Sequence, residues 1–282
     1  MLKVAIQGVK GCFHEVAAYK YFGERDPIRQ IECHSFQEMF RIFKDKPDTY
    51  GVMAIENTVA GTILPNYSKL MNSQMTIVGE VYLRIEQNLL SIKPMEIKDL
   101  KEVRSHPMAL LQCLEFFKDY PQIKLIETED TALSAKELSE SQNSHTAVIA
   151  SQLAGQHYGL HLLAKGIETN PRNFTRFLIL RDQSKHSASD FSKINKASIY
   201  FRVGHTPGSL AKILTLFAEK SINLTKIQSM PVIGREWEYL FLVDLNFDTC
   251  SVFEETMELA KELTNELTLL GKYQMGVKYR TI

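Results

Sequence analysis

The 282-residue sequence has no excess of charge of either sign: 33 basic side chains stand against 33 acidic ones. A balanced chain lacks the electrostatic footprint of a nucleic-acid or anionic-membrane binder, so a small molecule becomes the default partner, with no nucleic acid and no membrane expected. Cysteine is sparse as well. Cys12, Cys33, Cys113 and Cys250 lie far apart and form no C-x-x-C pair, which argues against a zinc site and a disulfide framework. Reduced thiols fit a cytoplasmic protein best. No apolar stretch approaches the roughly 18 residues of a membrane span, and the N-terminal run stops at Gly8, too early for a signal peptide. G-x-G-x-x-G, G-x-S-x-G and H-E-x-x-H are all missing, which leaves dinucleotide-binding, serine-hydrolase and metalloprotease readings weak. There is no low-complexity tract and no repeat of about 20–50 residues.

What is present is alternation of strand and helix. Lys3 to Gln7 is a short apolar run closed by Gly8 and Gly11, and a helical pattern with Val16, Ala17, Tyr19 and Phe22 comes next. Ile28 to Cys33 reads as a second strand. Ser35-Phe36-Gln37-Glu38 is a capping box that opens a helix through Met39, Ile42 and Phe43. The continuous apolar run Gly51 to Ile55 suits a strand buried on both faces. Further strands are predicted at Met75 to Val81, Glu102 to Arg104, Ile123 to Ile126, Ala147 to Ala150 and Phe174 to Leu180. Helices are predicted around Leu64 to Asn72, Met108 to Lys118, Ala132 to Glu140 and Ser151 to Tyr158. This order implies an α/β region with largely parallel sheets. The polar segment Arg181 to Asp190 reads as a linker. Beyond it the order becomes βαββαβ: strands at Lys196 to Val203, Leu224 to Pro231, Glu238 to Asn246 and Thr268 to Gln274, with helices at Gly208 to Glu219 and Val252 to Leu263. That is the ferredoxin-like pattern, with two helices on one face of an antiparallel sheet and the other face left for a partner.

In open α/β sheets ligands bind beyond the carboxyl ends of strands, so the polar strand-to-helix junctions are the candidates. The first carries Gly8, Gly11, His14 and Glu15, where a helix N-terminus could face an anion; an ordinary tight turn is the alternative. The second, Glu56-Asn57-Thr58, groups a carboxylate, an amide and a hydroxyl at the end of the most apolar strand, as a reactive cluster or as a helix cap with a solvated glutamate. The third, Arg104-Ser105-His106-Pro107, opens the helix with Gln112 and Cys113; His106 could move a proton or be structural, and Cys113 reads first as a packing residue. The fourth is Asn173-Phe174-Thr175-Arg176-Phe177. Strand alternation sends Thr175 and Phe177 to one face and Arg176 to the other, where the guanidinium suits either a carboxylate ligand or a structural ion pair.

These residues together resemble the prephenate dehydratase family with a C-terminal ACT regulatory domain. The resemblance rests on Gly8 to Ala18, on Ile55-Glu56-Asn57-Thr58 with Gly61, on Ser105-His106-Pro107 with Gln112-Cys113, on Tyr158-Gly159-Leu160 and on Asn173 to Phe177. In the last third it rests on Pro207-Gly208-Ser209-Leu210, Asn223 to Ile227 and Trp237-Glu238-Tyr239. It implies an α/β fold: a two-lobed, type-II periplasmic-binding-like catalytic region over 1–183, with lobe 1 at 1–76 and 166–183 and lobe 2 at 77–165. A linker over 184–195 and a ferredoxin-like (βαββαβ) ACT domain over 196–282 would complete the chain. The implied reaction takes prephenate to phenylpyruvate, carbon dioxide and water without a cofactor or metal, since aromatisation of the ring drives it. Arogenate dehydratase and a noncatalytic two-lobed sensor are the alternatives.

Carried over by position, the resemblance makes Thr175 the donor to the leaving hydroxyl, and Glu56, Asn57 and Gln112 its catalytic companions. Gly11, Thr58, Ser105, His106, Arg176 and Phe177 are the expected substrate contacts. Phenylalanine is the implied allosteric ligand, at His205, Pro207, Gly208, Ser209, Leu210, Asn223 and Leu224. A homodimer or homotetramer is expected. The first strand begins at residue 3, which reads as a monofunctional chain without a mutase domain. The sequence departs from the family where Gly11-Cys12-Phe13-His14 replaces the usual Gly-Thr-Phe-Ser, where Met108 stands for glutamine, and where Gln228-Ser229-Met230-Pro231 loses both charges of Glu-Ser-Arg-Pro.

Overall fold

The computed structural model describes residues 1–23, 27–141, 143–185, 193–232, 234 and 238–279. In chain order it begins with β1 (Leu2–Gln7), α1 (Phe13–Phe22), β2 (Ile28–Cys33), α2 (Phe36–Asp45), β3 (Tyr50–Asn57), β4 (Gly61–Thr62), α3 (Leu64–Met71) and β5 (Met75–Arg84). Next come β6 (Asn88–Ser91), β7 (Glu102–Ser105), α4 (Pro107–Gln112), α5 (Leu114–Phe117), β8 (Lys124–Glu127), α6 (Thr131–Glu140), β9 (Thr146–Ala150), α7 (Gln152–Tyr158), β10 (His161–Ala164) and β11 (Phe174–Asp182). The last elements are β12 (Lys196–Arg202), α8 (Ser209–Glu219), β13 (Asn223–Pro231), β14 (Tyr239–Asn246), α9 (Cys250–Glu262), β15 (Glu266–Tyr273) and β16 (Lys278–Tyr279).

Two compact units result. One comprises Met1–Lys69, Val81–Leu178 and Val277–Ile282, the other Leu70–Glu80 and Ile179–Gly276. The first unit contains two sheets. In the first sheet the strand order is β16-β5-β11-β3-β1-β2, with β4 paired to β3. β1 is parallel to both β2 and β3. Val4, Ala5 and Ile6 of β1 and Val52, Met53 and Ile55 of β3 are fully buried, as expected of central strands covered on both faces. Each large aliphatic side chain so buried contributes on the order of 1.5–3 kcal/mol. Helix α2 starts as its sequence foretells: Ser35 Oγ accepts from Glu38 N, and Glu38 Oε2 reaches back to His34 N. It buries Met39 and Phe43 against the sheet, and Gly51 makes room, because a Cβ there would lie 2.4 Å from Phe43 Cζ.

The second sheet has the order β10-β6-β9-β7-β8. β7 is parallel to β8 and β9, but β6 is antiparallel to both β9 and β10. The sheet is thus mixed rather than largely parallel. β6 and β10 escape a pattern reading because each is four residues long and carries no alternation, although all four residues of β6 are buried. The helix predicted over Met108 to Lys118 is broken at Cys113, with φ −109° and ψ 6°. The cause is a distant part of the chain: the Gln112 carbonyl accepts from Thr169 N at 2.8 Å instead of propagating the helix. Cys113 itself packs in the core with Leu110, Phe117 and Ile149, and burial pushes its thiol up to about 12, which suits a packing residue.

In the second unit β12, β13, β14 and β15 form a four-stranded sheet of order β13-β14-β12-β15, with every pairing antiparallel. With α8 and α9 this is a split-βαβ arrangement. Alternate residues of β12, Ala197, Ile199 and Phe201, enter the core with Ile213 and Phe217 of α8 and Phe253 and Met257 of α9. Lys196, 2% exposed, places Nζ 2.9 Å from Glu80 Oε1 in a buried ion pair. Of the expected linker, residues 186–192 lie outside the described residues, as does Trp237 of the C-terminal motifs. Among the described residues no helix is long and apolar enough to cross a membrane.

Candidate functional site

The first unit holds a cavity of about 260 Å³ bordered by strands of its first sheet and by the starts of α1, α4 and α6. The end of β3 supplies Ala54 and Asn57, β11 supplies Thr175 and Phe177, α4 and its cap supply His106, Met108 and Gln112, and the start of α1 supplies Cys12, Phe13 and His14. Five predicted site residues therefore converge: Asn57, His106, Gln112, Thr175 and Phe177.

Their polarity is set from the backbone outward. Asn57 Oδ1 accepts from Val59 N at 2.9 Å and Ala60 N at 2.8 Å, an Asx turn at the end of β3. Its Nδ2 must then face the cavity, where it donates to Thr175 Oγ1 at 2.9 Å and to Asn173 Oδ1 at 2.7 Å. Asn173 Nδ2 in turn donates to Gln112 Oε1 at 2.9 Å. The donor inventory then settles two atoms. Thr175 Oγ1 already receives a hydrogen from Asn57, and its own O–H remains available as a donor at the cavity wall. Gln112 has its oxygen occupied, so its Nε2 is the atom it can offer a ligand. Thr175 is only 7% exposed, which strengthens any hydrogen bond it makes there.

Other predicted residues have structural duties. Gly11, at φ +86°, is pressed against α7: a Cβ would lie 2.4 Å from Ala154 Cα. Its N–H donates to the buried Glu15 carboxylate and its carbonyl accepts from Ser151 Oγ, so the chain's own carboxylate takes the place expected for an anionic ligand. Ser105 is buried and donates to Ile149 O at 2.7 Å. Thr58 Oγ1 donates to Arg172 O and accepts from Phe174 N, tying β3 to the start of β11. Glu56 is half-buried opposite Thr62 of β4 and does not line the cavity. Arg176, as alternation predicts, faces away, with its guanidinium 5.9 Å from the Tyr82 ring centroid. His106 caps α4, its Nδ1 accepting from Met108 N at 3.2 Å.

His14 is a residue whose role the sequence left open. Its Nε2 accepts from Ala54 N at 3.3 Å, its ring meets Phe36 and Phe177 edge-on, and burial lowers its pKa to about 4. It is a neutral acceptor bracing β3, not a cation for substrate. Gln87 lines the cavity and Asn173 is buried behind Asn57 and Gln112; the sequence assigned neither a role. Asn173 sits within one of the junction motifs, whereas nothing in the local pattern around Gln87 distinguishes it.

In the second unit a cavity of about 750 Å³ is lined by the β12–α8 loop, by α8 and by Glu238, Tyr239 and Phe241. It takes in His205, Pro207, Gly208, Ser209 and Leu210 of the expected allosteric set. Asn223 and Leu224 do not line it, being paired within the sheet with Asn246 and Leu245.

Residues 4–185 match the prephenate dehydratase family. The chain belongs to that family. Among curated relatives, the bifunctional chorismate mutase/prephenate dehydratase of Aquifex aeolicus is 34% identical over 96% of this chain and 73% of its own length. Arogenate dehydratase/prephenate dehydratase 2 of Arabidopsis thaliana, a chloroplastic protein, is 33% identical over 96% of this chain and 71% of its own. Among solved structures, prephenate dehydratase from Arthrobacter aurescens in complex with L-Phe superposes with a TM-score of 0.85, covering 97% of this chain and 90% of that one at 24% identity, a likeness of fold. As a prephenate dehydratase family member the chain is a carbon–oxygen lyase, and its reaction is decarboxylating dehydration of prephenate to phenylpyruvate in aromatic amino-acid biosynthesis.

Proposed function

We infer that this reaction runs in the first unit's cavity, with Thr175 as the donor to the departing ring hydroxyl. The observation that carries this reading is the Asn57 Nδ2 to Thr175 Oγ1 hydrogen bond at the cavity wall, which fills an acceptor site of Thr175 and leaves its O–H available as a donor to ligand. In the reaction the ring–carboxylate bond breaks to release carbon dioxide, its electron pair enters the ring, and the carbon–oxygen bond at the opposite ring carbon breaks. The oxygen leaves with the character of hydroxide and takes up a proton to become water. Threonine is too weak an acid to hand over a proton outright, but a fixed O–H donor in a dry cleft stabilises charge where it develops. Asn57 and Gln112 hold the substrate's orientation in this reading. Glu56 lies beside this constellation and acts, in this reading, through β3 and β4. Thr175→Val, which keeps shape and removes the donor, should lower kcat roughly 100-fold or more at saturating prephenate. An unchanged rate would remove Thr175 from the mechanism. The relative named for arogenate as well as prephenate favours arogenate as a second substrate to test.

The periplasmic-binding-like description of the catalytic region, its extent over 1–183 and an ACT regulatory domain over 196–282 complete the reading. They are supported by the two sheets of the first unit and the βαββαβ order of the second. The second unit's cavity offers apolar walls at Leu210, Leu214 and Phe241 with the Glu238 carboxylate and the Arg202 guanidinium at 3.1 Å from each other, a lining suited to an amino acid with an aromatic side chain. Phenylalanine is its ligand in this reading. Equilibrium dialysis should show saturable binding that Leu210→Arg abolishes; no saturable binding at millimolar concentration sinks it. Assembly as a homodimer or homotetramer belongs to the same reading.

A further inference from the structure

Gln87 lies between the end of β5 and the start of β6, and both of its backbone groups are committed. Its N–H donates to Glu168 Oε2 at 2.9 Å, its carbonyl accepts from Ile167 N at 2.9 Å, and Glu168 is itself held by Arg84 Nη2 at 2.7 Å. The backbone is thereby pinned and the side chain, with the residue 3% exposed, forms part of the cavity wall. Nε2 donates to Gln112 Oε1 at 3.4 Å, while Oε1 is buried without a hydrogen-bond partner among the described residues.

Turning the amide over would not cure this. Gln112 presents its oxygen to Gln87 because Asn173 donates to that oxygen, Asn173 is oriented by Asn57, and Asn57 is oriented by two backbone N–H groups. A reversed Gln87 would set two carbonyl oxygens against each other. Buried acceptors without partners are rare in folded proteins, and one at the wall of a ligand cavity signals a donor that arrives with the ligand. The terminal torsion of glutamine is broad, so a small rotation brings Oε1 to the cavity with the backbone unmoved.

We propose that Gln87 is a substrate-binding residue of this cavity, its Oε1 accepting a hydrogen from the substrate. This rests on the prephenate dehydratase reading of the site. A substrate of this reaction carries such a donor in two places: the ring hydroxyl, common to prephenate and arogenate, and the ammonium group of arogenate alone. The keto acid side chain and both carboxylates carry none.

The test is steady-state kinetics of wild type, Gln87→Met and Gln87→Glu with each substrate, with ligand dissociation constants by calorimetry and unfolding midpoints in parallel. Wild-type turnover bears on the reading of the site, and the ratio of variant to wild type bears on Gln87, with the binding constants supplying that ratio if turnover is absent. Gln87→Met should weaken kcat/KM by ~5–10-fold where the donor is a hydroxyl, or ~10–100-fold where it is an ammonium, with an unfolding midpoint unchanged or raised because the unmet acceptor is gone. A loss with both substrates assigns the hydroxyl. A loss with arogenate alone, rescued by Gln87→Glu, assigns the ammonium. Values within about twofold of wild type on both substrates, or a loss that tracks a lowered midpoint, overturn the proposal.

Discussion

Replacing Asn57 with aspartate exchanges a single amide nitrogen for an oxygen, and the surrounding hydrogen bonds dictate the outcome. The Asx turn survives, because the remaining carboxylate oxygen still accepts from Val59 N and Ala60 N. The other oxygen now stands 2.9 Å from Thr175 Oγ1 and 2.7 Å from Asn173 Oδ1, where a donor used to be. Thr175 can satisfy it only by turning its O–H away from the cavity. Asn173 can satisfy it only by turning over, which sets its Oδ1 against Gln112 Oε1 and reverses Gln112 in turn. One atom thus removes the leaving-group donor and inverts the polarity of the amide chain, while the new charge opposes an anionic substrate. Loss of one such preorganised donor is worth about 2.7–4 kcal/mol in the transition state, so kcat for prephenate should fall roughly 100- to 1,000-fold. Stability should fall by only about 1–2 kcal/mol, since new partners are found within the network. Phenylpyruvate formation at saturating prephenate and urea unfolding measure the two. The deficit should narrow on acidification, because a protonated carboxyl regains a donor. A kcat within about threefold of wild type would refute the reasoning, since it would mean that the orientation of Thr175 does not depend on Asn57.

Gly11→Ala combines a left-handed backbone with a Cβ at 2.4, 2.6 and 2.9 Å from Ala154 atoms, two of them backbone, and should cost about 2–5 kcal/mol in urea unfolding; an unchanged midpoint would show that the turn does not dock on α7. For His14 the folded pKa is depressed to about 4 from 6.5, so the unfolded state binds the proton first. Its contribution is fully present above the unfolded value and is lost as pH falls from about 6.5 to about 4. The upper figure is about 3 kcal/mol, reduced in practice because the half-buried ring keeps some contact with water. His14→Gln keeps an acceptor for Ala54 N without titrating, and its stability should decline less than wild type over that range; parallel declines would exclude His14 as the source.

The amino-acid sequence by itself determined the local elements and the chemistry available to them. The apolar run before Glu56, the capping box at Ser35 and the βαββαβ order after residue 195 come from propensities and periods that act over a few residues. Alternation along β11 was enough to separate Thr175 and Phe177 from Arg176, since successive side chains of a strand must point opposite ways. The family resemblance carried by the junction motifs named Asn57, Gln112 and Thr175. Tertiary structure alone decided which polar junction residues reach the cavity and in what polarity. Gly11 and Ser105 look like ligand contacts in sequence, yet packing against α7 and β9 spends their backbone and hydroxyl groups internally. The antiparallel placement of β6 and β10 and the break at Cys113 arise from partners more than 50 residues away, such as Thr169 on the Gln112 carbonyl. Gln87 carries no local signal at all. Its position depends on Glu168 and Ile167 holding its backbone, and the donor it lacks is apparent only once every protein partner has been accounted for. Short-range sterics and hydrogen bonding are encoded residue by residue; the satisfaction of a buried polar atom is a property of everything packed around it.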